Sequence, residues 1–225
     1  MLKVENIETY GWEAAIRGMR NPMNSWSKSD TLFQQDCSSC ELDCEAVHFE
    51  HRVSGGKCFD VGKNDLDLMS RLYKAGTEHR KYLRMITVTM DITAPLYWWK
   101  EFDTYKVGTV ANSCSTMHKI HAKEFELDDF SCEHLNDDTL NLLKNIIRDL
   151  NASRYFYNTM KEKQWWWQMI QLLPSSYNQR RTVQMSYENV MAMIKQRENH
   201  KLDEWVELVG ILKDLPYVRE ITGKE

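Results

Sequence analysis

Proline and glycine are scarce, at four and nine of 225 residues, and the glycines are scattered. That excludes a fibrous or low-complexity chain. It also leaves no Gly-rich phosphate loop and no dinucleotide fingerprint, and no catalytic-triad signature is present. Long apolar runs are missing as well. The longest, such as Leu96-Tyr97-Trp98-Trp99, falls far short of a bilayer span, and the opening Met1-Leu2-Lys3-Val4-Glu5-Asn6 lacks a signal-peptide core. A cytoplasmic protein is expected. Positive charge is not in excess: the formal net charge is −4 and the pI about 6.0. This argues against whole-surface binding to a nucleic-acid duplex, which depends on neutralising phosphates, while a local phosphate pocket stays open.

The chain does have an ordinary globular balance, 42% hydrophobic and 28% charged. Its length suits one core, so a single domain over 1–225 is expected. No internal repeat is visible. Cys37, Cys40, Cys44, Cys58, Cys114 and Cys132 should be thiols or metal ligands in a reducing compartment. The first four, with His48 and His51, have short loop spacings that tetrahedral zinc could use, but they are irregular, and free thiols are the preferred reading. No metal ligand is assigned.

Leu2 and Val4 alternate with polar neighbours and suggest an edge strand, followed by a short helix from Gly11 to Met19. Residues 22–63 lack a sustained period and read as a long loop or small subdomain. Asn64 is a plausible N-cap for a helix carrying Leu66, Met69, Leu72 and Tyr73, which Gly76 stops. Ile86, Val88, Met90 and Ile92 alternate with polar residues as a half-buried strand that Pro95 ends. An aromatic-rich helix over 96–105 and a polar stretch to His118 come next. Asn136 caps a helix predicted to run through Leu143, Ile147 and Leu150 towards Trp167, with Pro174 as its limit. A last helical segment is predicted from about Arg181 to Lys213. Helices dominate this pattern, with one sheet segment in the middle.

Two segments could carry chemistry. In the stretch 94–118, Trp98, Trp99 and Phe102 fit a core helix, whereas Lys106, Ser113, Ser115 and His118 suit phosphate or nucleotide contacts. Arg197-Glu198-Asn199-His200-Lys201 reads by itself as a solvated charged face.

Taken in order, these segments resemble the flavin-dependent thymidylate synthases. His79 falls where that family has a flavin-contacting histidine, although Arg80 to Met85 replace its Pro-Phe-Glu-His context. The family's R-H-R-x-x-S is matched by Thr104-Tyr105-Lys106-Val107-Gly108-Thr109, where Lys106 keeps one positive charge. Its N-E-x-S-x-R-Y is matched by Asn112 to His118, with Ser115 retained and Met117 in place of an arginine. Leu172-Leu173-Pro174 and Arg197 keep the family's spacing between an L-P pair and a substrate-binding arginine. Residues 31–58 look like a Cys-rich insertion.

The resemblance implies an α+β fold, a helix-rich single domain around a small, mostly antiparallel sheet. It implies reductive methylation of dUMP to dTMP with bound FAD, drawing on methylenetetrahydrofolate and NADPH, or a close variant on another pyrimidine nucleotide, in a homotetramer. Arg197 would hold and polarise the pyrimidine, Ser115 would contact the nucleotide, and His79 and Lys106 would contact the flavin. Lys100, His118, Lys119, Arg180 and Arg181 are candidates to replace lost phosphate contacts. The alternative is a non-catalytic nucleotide- or protein-binding protein on the same fold.

Overall fold

In the computed structural model, residues 2–34, 53–54 and 57–223 are described. The cluster Cys37, Cys40, Cys44, His48 and His51 lies outside them. The described residues contain seven strands: β1 (Lys3–Tyr10), β2 (Leu32–Gln34), β3 (Val53–Ser54), β4 (Lys57–Asp60), β5 (Thr87–Pro95), β6 (Thr109–Ser113) and β7 (Asn178–Ser186). Eight helices accompany them: α1 (Trp12–Arg20), α2 (Lys63–Lys74), α3 (Leu96–Phe102), α4 (Asp137–Met160), α5 (Lys163–Leu172), α6 (Tyr187–Arg197), α7 (Asp203–Lys213) and α8 (Val218–Thr222). The strands form one sheet in the order β2-β4-β3-β1-β5-β7-β6. β4 runs antiparallel to β2 and β3, and β3 runs parallel to β1. The expected helix-rich α+β class with a small sheet holds.

Several expectations change. β1 has neighbours on both sides and is not an edge strand. The single sheet segment becomes seven strands, because β6 carries no apolar alternation and β7 was read as the start of a helix. The long helix towards Trp167 is two helices: Lys161 takes a left-handed conformation at φ 59° and closes α4 with its N–H on the Tyr157 carbonyl. The terminal helical segment is β7, α6 and α7 in succession. β5 is as read, with Val88, Met90, Ile92 and Ala94 all buried on one face.

The chain forms two compact units. One comprises Met1–Val4, Asp91–Thr104 and Ala111–Thr182; the other comprises Glu5–Met90, Tyr105–Val110 and Val183–Glu225.

In the first unit, Asn136 caps α4 by accepting from the Thr139 N–H at 2.9 Å. Leu143, Ile147 and Leu150 of α4 then pack with Ile120, Phe125, Phe130 and Met169. Trp98, Trp99 and Phe102 are fully buried, with ring centroids 4.8–5.2 Å apart, as their apolar bulk predicts. Trp99 Nε1 donates to the Gln179 carbonyl at 2.9 Å, fastening α3 to β7.

In the second unit, Trp12 is fully buried against Phe59, Tyr187 and Tyr217. Polar anchoring comes from Asp65, which is also fully buried. Its Oδ1 accepts from Arg20 Nε at 2.6 Å, and its Oδ2 accepts from Ser29 Oγ, Asp30 N, Thr31 N and Thr31 Oγ1 at 2.7–3.1 Å. Asn64 is not the cap of α2. The chain enters the helix at Gly62, and the Asp30 carboxylate supplies the cap by accepting from the N–H groups of Asn64 and Asp65 at 2.9 and 3.1 Å. A Cβ on Gly62 would lie 2.2 Å from the Asp30 carboxyl carbon, so this close approach requires glycine.

Burial alone would raise the Asp65 pKa, but the hydrogen bonds from Thr31, Ser29 and Arg20 outweigh it and hold the carboxyl below its ordinary value. A depressed folded pKa contributes stability above the unfolded value of about 3.9 that is lost as pH falls through the folded value. Asp65→Ala should therefore lower unfolding free energy by about 3–5 kcal/mol at pH 7 in a urea titration, because it leaves Arg20 buried without its counter-charge. Asp65→Asn should show a shallower loss of stability with acid below about pH 4 than the unsubstituted protein.

Candidate functional site

Three of the four sequence-predicted site residues, His79, Lys106 and Arg197, belong to the second unit, and α6 organises two of their segments. Ser186 caps the start of α6 by accepting from the Asn189 N–H at 3.3 Å. Glu188, in its first turn, receives Arg80 Nε at 3.3 Å and is also bonded by Arg84. Bonding from Arg84, which outweighs partial burial, keeps the Glu188 carboxyl below its ordinary pKa.

Arg197 ends α6. It is half-buried, with its guanidinium 4.6 Å from the Trp205 ring centroid and 5.6 Å from that of Tyr105. Its Nε donates to Tyr105 Oη at 3.0 Å, while Tyr105 donates to Gln196 Oε1 at 2.9 Å. The segment 105–109 then follows α6 back towards its N-terminus. Asn189 Nδ2 donates to the Val107 carbonyl at 2.7 Å and to Thr109 Oγ1 at 2.9 Å. Lys106 is exposed in the middle of this segment.

Arg197 and the Lys106 segment are thus brought together. His79 is exposed in the turn after α2, its backbone N–H on the Gly76 carbonyl, and its neighbour Arg80 meets the opposite end of α6. Glu188 and Arg197 are nine residues apart, about 14 Å along the helix.

Beside the first turn of α6 lies a groove of about 340 Å³, lined by Arg84, Val107, Val110, Gln184, Met185 and Asn189. Val107 and Val110 present apolar surface at 88% and 66% exposure.

Ser115 belongs to the first unit and is exposed. Its Oγ accepts from the backbone N–H groups of Met117 and His118 at 3.2 and 2.8 Å, closing a local turn. Gln179 Nε2 on the Cys114 carbonyl at 2.7 Å and Trp166 Nε1 on the Met117 carbonyl at 2.9 Å hold that turn in place. Two proposed replacement cations are already committed. Arg180 pairs with Asp91 at 2.7 Å, and Arg181 pairs with Asp103 at 2.7 Å and stacks 4.2 Å over Trp99.

Sequence reasoning missed Tyr105, Glu188 and Asn189, which position the named residues across separations of about a hundred positions. The one available signal was the pair Arg80 and Arg84 at helical spacing, which calls for a facing carboxylate.

Two solved structures of thymidylate synthase X (ThyX) from Helicobacter pylori, both with FAD and dUMP, match at a TM-score of 0.63 and 15% identity. The match covers 99% of this chain and 97% of that chain in one, and 97% of each in the other. At this identity what is shared is the fold. No protein-family model and no curated protein matches the sequence.

Gly108 has φ +73°, and a Cβ there would lie 3.3 Å from Asn189 Nδ2. Gly108→Ala should lower stability by about 1–2 kcal/mol through the left-handed backbone alone, measured as a fall in urea midpoint. A change below about 0.3 kcal/mol would mean that the segment 105–109 is not held against α6.

Proposed function

We propose that this chain is an FAD-dependent enzyme of the thymidylate synthase type acting on dUMP or a related pyrimidine nucleotide. The observation that carries this reading is a fold likeness spanning almost the full length of both chains, to structures holding FAD and dUMP. The finer form is reductive methylation of dUMP with methylenetetrahydrofolate and NADPH by a homotetramer.

The residues present fit the flavin. A flat heteroaromatic ring needs apolar walls and hydrogen-bonding partners for its polar edge. Val107, Val110 and Met185 supply the walls of the groove, and the Gln184 amide and Arg84 guanidinium supply polar groups. His79 and Lys106, both exposed, would meet its anionic portion. When bound, FAD would supply the hydride chemistry that no side chain can provide.

Arg197 would hold and polarise the pyrimidine. Stacking on Trp205 and the bond to Tyr105 limit the rotamers of its guanidinium, so less entropy would be lost when it meets a carbonyl acceptor. Ser115 would orient the nucleotide phosphate through its hydroxyl proton, because its oxygen already accepts two backbone N–H groups. Lys106 would add charge attraction to the same anionic ligands.

Visible absorbance of the purified protein, before and after adding FAD and then dUMP, tests this reading. Bound flavin perturbed by dUMP is the expected result, and Arg197→Ala should weaken the dUMP response roughly tenfold or more through loss of a charge-assisted bond of about 1.5–3 kcal/mol. A colourless protein that takes up no FAD would overturn the enzyme reading and favour a binding role on the same fold.

A further inference from the structure

We propose a second anion site, separate from the groove at α6, that takes a phosphate-class dianion at the start of α2. It stands independently of the proposed enzyme activity.

The observation that carries it is the unfinished hydrogen bonding of Arg20. This side chain is 4% exposed, and its counter-ion Asp65 is fully buried. A guanidinium facing a carboxylate ordinarily presents two parallel N–H groups. Here only Nε reaches Asp65, because the second carboxylate oxygen is filled by Ser29, Asp30 and Thr31. Nη1 turns to the Ser25 carbonyl at 3.2 Å. Nη2 is left buried with no acceptor among the described residues. A buried charged donor without an acceptor is costly, and a native fold rarely keeps one unless something fills the place.

Arg20 forms part of the wall of a cavity of about 260 Å³ together with Lys28, Asn64, Asp67 and Arg71. Lys28 and Arg71 are exposed, and Arg71 Nε leans on the Asp67 carbonyl at 3.4 Å. Three cations therefore converge on one volume. The nearby carboxylates of Asp65 and Asp30 are bonded by Arg20, Ser29, Thr31 and the first amides of α2. With Arg20 paired to Asp65, Lys28 and Arg71 face Asp67 as the one carboxylate lining the cavity, which leaves its wall one positive charge in excess.

The size and donor set suit a compact tetrahedral oxyanion. Nη2 of Arg20 is closed off as the side chain stands, so a small turn of the guanidinium would bring it to one oxygen, and Lys28 and Arg71 would offset the remaining charge.

Thermal unfolding in inorganic phosphate, against sodium chloride of matched ionic strength, tests the proposal. At ten times the dissociation constant the melting temperature should rise by about 3–6 °C. Lys28→Ala/Arg71→Ala removes two exposed side chains outside the core and should abolish most of that rise, whereas Arg197→Ala should retain it. No phosphate-specific rise in the unsubstituted protein would overturn the site. An equal rise in the double variant would do the same, by placing any phosphate effect elsewhere. Because the readout needs neither flavin nor turnover, it separates this site from the enzyme reading.

Discussion

Five hydrogen bonds converge on the Asp65 carboxylate, and the second unit is assembled around them. The group joins the end of α1, through Arg20, to the first turn of α2 and to the segment 29–31. An ionised carboxylate without those donors would face a desolvation penalty of several kcal/mol. Burial is tolerated because five donors meet the carboxylate, which fixes three chain segments relative to one another. Asp30, held by the same cluster, then caps α2 in place of a residue from the helix's own sequence. One side effect is the incomplete bonding of Arg20: the donors that saturate Asp65 exclude the second half of the guanidinium.

A similar economy governs α6. Its N-terminal turn carries Glu188, and the favourable end of the helix dipole adds to the two arginines that meet it. Its C-terminal end presents Arg197, whose charge suits that end of the dipole as well. Because Asn189 and Tyr105 attach the segment 105–109 at opposite ends of the helix, Lys106 and Arg197 share one rigid support.

Local signals made much of this fold legible. β5 follows from strict alternation, the start of α4 from Asn136, and the stop after α2 from Gly76. The failures share a cause, which is that the deciding interaction lies far away in sequence. β7 has Val183 and Met185 at strand spacing, but Tyr187, Met191 and Ile194 continue the apolar stripe at helical spacing, so nothing apolar marks the change at Ser186. β6 is exposed along most of its length and is held by backbone pairing and by the distant Asn189 side chain on Thr109. The break at Lys161 needed a non-glycine residue in a left-handed conformation, for which the sequence carries no cue. Arg197 was singled out by its spacing, yet its surroundings of Trp205 and Tyr105 were not legible.

That environment bears on how the altered signature residues should be understood. Where the resembled family has an arginine-histidine pair before its retained cation, this chain has Thr104-Tyr105 before Lys106. Taken alone, the change removes charge from a proposed ligand site. In the fold, however, the Tyr105 hydroxyl accepts from Arg197 and donates to Gln196, so it fixes the guanidinium on which the proposed pyrimidine contact depends. Arg180 and Arg181 are similarly drawn into pairs with Asp91 and Asp103, which makes them braces within the first unit. At Tyr105, where the resembled family's pattern differs, the side chain carries a structural bond, and the proposed ligand contact would rely on a preorganised guanidinium. Preorganisation lowers the entropic penalty per contact. It can offset part of the lost charge attraction, provided that the ligand presents acceptors where Arg197 already points.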